Sequence, residues 1–173
     1  MRVVIALVLL LFLVACSQEK PQTERIEGEV EIMKIWSNDF KNGDMIPRKF
    51  TCQGEDVNPH LALDGVPAGT KSFALIFDDP DAPAGTWIHW IVKDIPADVR
   101  EIKENSVPGE QLSNSWGKEE YGGPCPPALH RYFFRLYALN VEHLDAENSE
   151  ELYPQVEEHL ITKAELMGKY KKS

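Results

Sequence analysis

Two hydropathy regimes divide the chain. Val3–Ala15 is an unbroken apolar run behind a single positive charge, Arg2. As a helix it would be about 20 Å long, against a hydrocarbon core of about 30 Å. It is too short for a comfortable span and reads as the hydrophobic region of a signal peptide. Ser17 to Glu29 is almost wholly polar, the composition of a tether. From Val30 onward apolar residues come in short runs: a first strand of imperfect alternation over Val30–Ile35, then His60–Leu63, Phe73–Phe77, Trp87–Lys93 and Arg131–Leu139. Turn formers separate them, among them Asn42-Gly43-Asp44, Asp64-Gly65, Pro67-Ala68-Gly69 and Pro80–Gly85. This pattern predicts a mainly β, antiparallel domain. Residues 105–128, rich in Gly and Pro, read as one long loop, and a loop of that length in a compact domain usually carries function. One helix is predicted from about Glu150 to Lys169, with Leu152, Val156, Leu160 and Ile161 at helical spacing, Ser149 as N-cap and Pro154 in its first turns. Lys163, Lys169, Lys171 and Lys172 would then favour its C-terminal dipole.

The length of 173 residues suits one domain. Residues 1–15 are read as a lipoprotein signal peptide, 16–30 as the tether and 31–173 as the folded domain. Charge narrows the partners. The formal net charge is −10, and loss of Arg2 with the leader leaves 17 basic against 28 acidic residues. A chain this acidic is excluded as a non-specific nucleic-acid binder, and it does not dock electrostatically on anionic lipid. Membrane attachment needs another device. Leu13-Val14-Ala15-Cys16 resembles the lipobox of bacterial lipoproteins, with cleavage before Cys16 and an acyl anchor such as palmitate on its thiol. The expected location is the cell envelope, extracytoplasmic and lipid-anchored. Cys52 and Cys125 then remain as an even pair in an oxidising compartment, either a disulfide or two separately buried thiols. No CxxC spacing supports a zinc site.

Two segments concentrate polar chemistry. Asp78-Asp79-Pro80-Asp81 places three carboxylates in four positions; their mutual repulsion directs at least one toward a cation, a donor or a ligand, and the alternative reading is a charged turn with Asp as turn former and the prolines as stops. His130-Arg131-Tyr132 opens a strand. With a period of two, His130, Tyr132, Phe134 and Leu136 share one face, and Arg131, Phe133, Arg135 and Tyr137 the other. By the same alternation His89 belongs to the face of Trp87 and Ile91, where it reads either as a satisfied core histidine or as a site group.

In order along the chain, Ile46–Pro59, Gly69–Ile76, Asp78-Asp79-Pro80-Asp81-Ala82-Pro83, Trp87-Ile88-His89-Trp90, Tyr121–Pro127 and His130-Arg131-Tyr132 resemble the phosphatidylethanolamine-binding protein family, in its prokaryotic Raf-kinase-inhibitor-like branch. The resemblance covers roughly residues 33–170. It implies two antiparallel sheets with Greek-key connections, a C-terminal helical segment and a small cavity for phosphate-type anions or phospholipid head groups. Carried over, Asp79, His89, His130 and Tyr132 line that cavity, and Pro83, Trp87, Gly122 and Gly123 shape its rim. Only Ala128-Leu129 separates Pro127 from His130, where a longer glycine-containing insert is common, which alters the rim. The expected activity is binding, with regulation or inhibition of a partner such as a protease or kinase, and with no catalytic residue, metal or cofactor. Protease inhibition and an Asp/His/His metal-dependent hydrolase are the competing readings. No G-x-S-x-G elbow is present. An anion needs donors, expected from histidine N–H groups, the Tyr132 hydroxyl and glycine-loop N–H groups. Asp79 would repel it, so its expected role is to orient a histidine. With both histidines ionised, affinity would fall between about pH 6 and 8.

Overall fold

The computed structural model describes residues 32–173. The signal peptide, the tether and Cys16 lie outside the described residues. Among the described residues, eight strands form two antiparallel sheets. Three short strands, β1 (Lys34–Trp36), β2 (Leu61–Asp64) and β5 (Glu101–Ile102), make the smaller one in the order β1-β2-β5. The larger runs β6-β4-β3-β7-β8, from β6 (Glu110–Leu112) through β4 (Trp87–Pro96), β3 (Ser72–Asp79) and β7 (His130–Leu139) to β8 (Leu160–Tyr170).

Alternation along the central strands sorts side chains between two apolar layers. Phe73, Leu75 and Phe77 of β3, with Tyr132, Phe134 and Leu136 of β7, face the small sheet and pack with Ile35, Leu61 and Leu63. Ala74 and Ile76 face the opposite way, where the helix α1 (Ser149–His159) covers them with Leu152 and Val156. Strand β3 is buried along all eight residues because both its faces are covered. That explains why Phe73–Phe77 reads as a continuous apolar run rather than an alternating one.

Three sequence expectations are corrected. The helix ends at His159, and residues 160–170 form β8 instead of its last turns. These residues pair with β7 from Leu139↔Leu160 to His130↔Tyr170, so a long ladder partner overrides local helical spacing. The buried positions there, Ala164, Leu166, Gly168 and Tyr170, follow a period of two, while Leu160 and Ile161 are exposed. Lys163 and Lys169 therefore decorate a strand. The N-cap is Asn148 rather than Ser149: its side chain accepts the N–H of Glu151 at 3.0 Å, and the Glu151 carboxylate reaches back to the N–H of Glu147 at 3.0 Å. Finally, the stretch 105–128 is not one loop, because β6 pairs with β4 inside it, Leu112 opposite Ile91.

Cys52 and Cys125 are joined in a disulfide with Cα atoms 5.5 Å apart. The bond ties the segment after the 3-10 turn Arg48–Phe50 to the segment that leads into β7.

Candidate functional site

Strand β3 ends, and β4 and β7 begin, at the same edge of the large sheet. Asp79 and His130, 51 positions apart in the sequence, meet there. The three carboxylates of Asp78-Asp79-Pro80-Asp81 part company at that edge, each to its own cation or donor. Asp78 points to the outer face, where it accepts from Arg135 Nε at 2.7 Å, and Arg135 also pairs with Glu165. Burial raises the Asp78 carboxyl above the usual range despite this guanidinium. Asp81 takes a bidentate grip on Arg131, at 2.9 and 2.6 Å, and accepts the Arg131 backbone N–H at 2.9 Å. These bonds hold its carboxyl down at about 2. Asp79 turns inward and accepts the Nδ1–H of His130 at 2.7 Å.

His89 reaches the same space through a fault in the sheet. Phe77 pairs with Trp90 and Asp78 with Ile88, so His89 is the extra residue of a β-bulge. The bulge corrects the face predicted by strict alternation. Trp90 lies in the inter-sheet core and Ile91 in the helix-side core, whereas His89 points into the cavity with Trp87. It is 4% exposed and packs against Phe77, Trp116 and Tyr132 at ring-centroid distances of 5.0–5.3 Å. Burial pushes its pKa below the ordinary histidine value, which does not fit a site with both histidines ionised. Tyr132, 1% exposed, has its hydroxyl pKa raised by burial and by the neighbouring Asp79 carboxylate.

Asp79, His89, His130 and Tyr132 line one cavity of about 390 Å³. Pro83, Trp87, Trp116, Pro126 and Pro127 supply largely apolar walls, and no Lys or Arg is among the lining residues. Pro83 and Trp87 thus stand at the cavity, but Gly122 and Gly123 do not. They line a neighbouring hollow with Asp56 and Asn114, and their N–H groups are already used. Gly122 donates to His89 O at 3.1 Å and Gly123 to Asp56 Oδ1 at 2.7 Å. The glycine loop therefore supports the cavity from behind. Gly122 O accepts the Nδ1–H of His89 at 2.7 Å, and Gly122 has no room for a Cβ, which would fall 2.6 Å from the Trp116 ring. The expectation that this loop offers N–H groups to an anion is corrected on that ground.

Sequence reading missed Trp116. It stands 46% exposed at the rim, edge-on to both Trp87 and His89. Asn114 positions it, accepting the N–H groups of Trp116 and Lys118 on its side-chain oxygen. The sequence signal was only an aromatic residue inside the Gly/Pro-rich stretch. Among the described residues no cluster of three or more His, Cys, Asp or Glu side chains is arranged to hold a metal ion.

The phosphatidylethanolamine-binding protein model matches residues 36–171. A protein of Aquifex aeolicus named UPF0098 protein is 42% identical over 153 residues, covering 82% of this chain and 90% of its own. A Chlamydia pneumoniae protein of the same name is 43% identical over 150 residues, 82% of this chain and all of its own. Among solved structures, a putative phosphatidylethanolamine-binding protein homologue from Chlamydia trachomatis superposes with a TM-score of 0.79 at 40% identity, over 83% of this chain and 99% of that one. E. coli YBCL, described as a new member of the mammalian family, superposes with a TM-score of 0.76 at 31% identity, over 82% and 99%.

Proposed function

The chain belongs to the phosphatidylethanolamine-binding protein family, and from that premise we propose that it is a binding protein whose cavity takes a phosphate-type anion or a phospholipid head group. The observation that carries this reading is the polar end of an otherwise apolar cavity: Asp79, His89, His130 and Tyr132 converge there from three strands. A small cleft with apolar walls and a few fixed polar groups is the usual form of a small-molecule site. The Asp79–His130 bond fixes the imidazole, so its other ring nitrogen is presented at a set angle. We read the protein as a binding module rather than an enzyme, with any regulation of a partner protein acting through the exposed rim at Trp116.

Calorimetric titration of the full chain with phosphorylethanolamine and with inorganic phosphate tests the reading. Saturable binding at one site per chain is the expected result. Absence of heat up to millimolar ligand would overturn it.

The second part of the proposal is location. Leu13-Val14-Ala15-Cys16 supports a lipid anchor at Cys16, and a Cys52–Cys125 disulfide fits an oxidising, extracytoplasmic compartment. Mass spectrometry of the mature N-terminus should find an acylated Cys16, and Cys16→Ala should release the protein from membranes. An unmodified Cys16 in the mature protein would refute the anchor.

A further inference from the structure

The two cavity histidines are held by different acceptors. Each commits Nδ1 to an acceptor behind it: His89 to Gly122 O and His130 to Asp79 Oδ2, both at 2.7 Å. A carbonyl oxygen only accepts, so the proton of neutral His89 sits on Nδ1 and its Nε2 is a bare lone pair. Among the described residues no group hydrogen-bonds that Nε2.

Their surroundings separate the two rings further. His89 is enclosed by Phe77, Trp116 and Tyr132, and burial disfavours its charged form more than Gly122 O, Asp79 and Asp56 favour it. His130, in contrast, holds its Nδ1 against a carboxylate oxygen, Asp79 Oδ2. The nearest guanidinium, Arg131, is engaged by Asp81 and does not line the cavity. His89 therefore presents an acceptor to the cavity.

We propose, resting on the anion-binding reading above, that the cavity selects the proton-bearing form of its ligand: a phosphate monoester monoanion whose P–OH donates to His89 Nε2. A phosphodiester has the same tetrahedral centre and a single negative charge but no P–OH. It would set an oxygen lone pair against the Nε2 lone pair and leave that acceptor unpaired. With no Lys or Arg in the lining, nothing offsets the loss.

Methyl phosphate and dimethyl phosphate separate the two cases. At about pH 5.5 both are mainly monoanions, given a second monoester pKa of about 6. Calorimetry on the full chain should find methyl phosphate bound at least about tenfold more tightly. Equal or reversed affinities overturn the selection and leave the anion reading standing, whereas binding of neither compound removes both. His89→Gln supplies an amide N–H and should bring the ratio below about threefold. An unchanged ratio in a folded variant overturns the assignment to His89. The wild-type chain gives an independent reading through long-range 1H–15N correlation of its ring nitrogens. His89 Nε2 should be unprotonated at about pH 7, and a protonated Nε2 there overturns the proposal.

Discussion

Asp79 and His130, 51 residues apart, are joined at 2.7 Å by a bond from Nδ1 to a carboxylate oxygen. Both are largely withdrawn from solvent, with side-chain exposures of 5% and 12%. A charge-assisted bond in such a place fixes the ring.

His130→Ala and Asp79→Ala should each weaken phosphate binding about ten- to hundredfold, the worth of a hydrogen bond to a charged group. Arg131→Ala is the control. Its side chain lies 54% exposed against Asp81, and affinity should stay within about twofold. Calorimetry decides affinity, and a thermal melt on each variant confirms the fold. Unchanged affinity in a folded His130→Ala would remove His130 from the site.

Asp81 and Asp78 titrate in opposite directions. The Asp81 carboxyl is held at about 2 by Arg131, below the roughly 3.9 of an unfolded chain. Its contribution is present above about pH 4 and lost as pH falls toward 2. The melting temperature of Asp81→Asn should therefore lie below wild type at pH 5–7, and the gap should close between about pH 4 and 2. A gap that persists at pH 2 would contradict this.

Asp78 is raised by burial, so its ionised form costs stability, and the cost grows as pH rises through the raised value. Arg135 offsets that cost. Arg135→Ala should lose about 3 kcal/mol at neutral pH by leaving a buried charge without its partner. Part of the loss should return on acidification, as Asp78 takes up a proton. Urea unfolding at several pH values measures both effects.

The Cys52–Cys125 bond closes a loop with a sequence separation of 73. In the chain-entropy model a loop of this size is worth about 4 kcal/mol. Reduction, or the double change Cys52→Ser with Cys125→Ser, should lower unfolding free energy by up to that amount. Because Cys125 lines the cavity, anion affinity should fall as well, which titration under reducing conditions would reveal.

Phe77 forms the floor beneath the site. It is fully buried, stacks on Phe134 with centroids 4.0 Å apart and touches the ring of His89 at 5.3 Å. Phe77→Ala should cost about 3–5 kcal/mol in urea unfolding. A loss below about 1 kcal/mol would mean that the inter-sheet core closes over the gap.

Much of this arrangement is legible before folding, because it depends on near neighbours in the chain. Alternation puts His130, Tyr132, Phe134 and Leu136 on one side of β7, and the structure keeps them there, with the last three in the inter-sheet core. Repulsion among Asp78, Asp79 and Asp81 pointed to an outside partner for at least one of them, and each of the three has one. What the sequence by itself determined is thus the mainly β class, the positions of the central strands, the family, and which residue types gather at the strand ends.

Tertiary structure decided the rest, since those features depend on pairing between distant segments. The bulge that turns His89 into the cavity exists only through the register of β4 against β3. Strand β8 exists because β7 offers it a full ladder, although its residues 160 and 161 continue the helical spacing of α1. The use of the Gly122 and Gly123 N–H groups, behind the cavity rather than inside it, depends on where His89 and Asp56 come to lie. Local pattern chooses a conformation one segment at a time. Which polar atoms remain free for a ligand is settled only when every segment has found its partner.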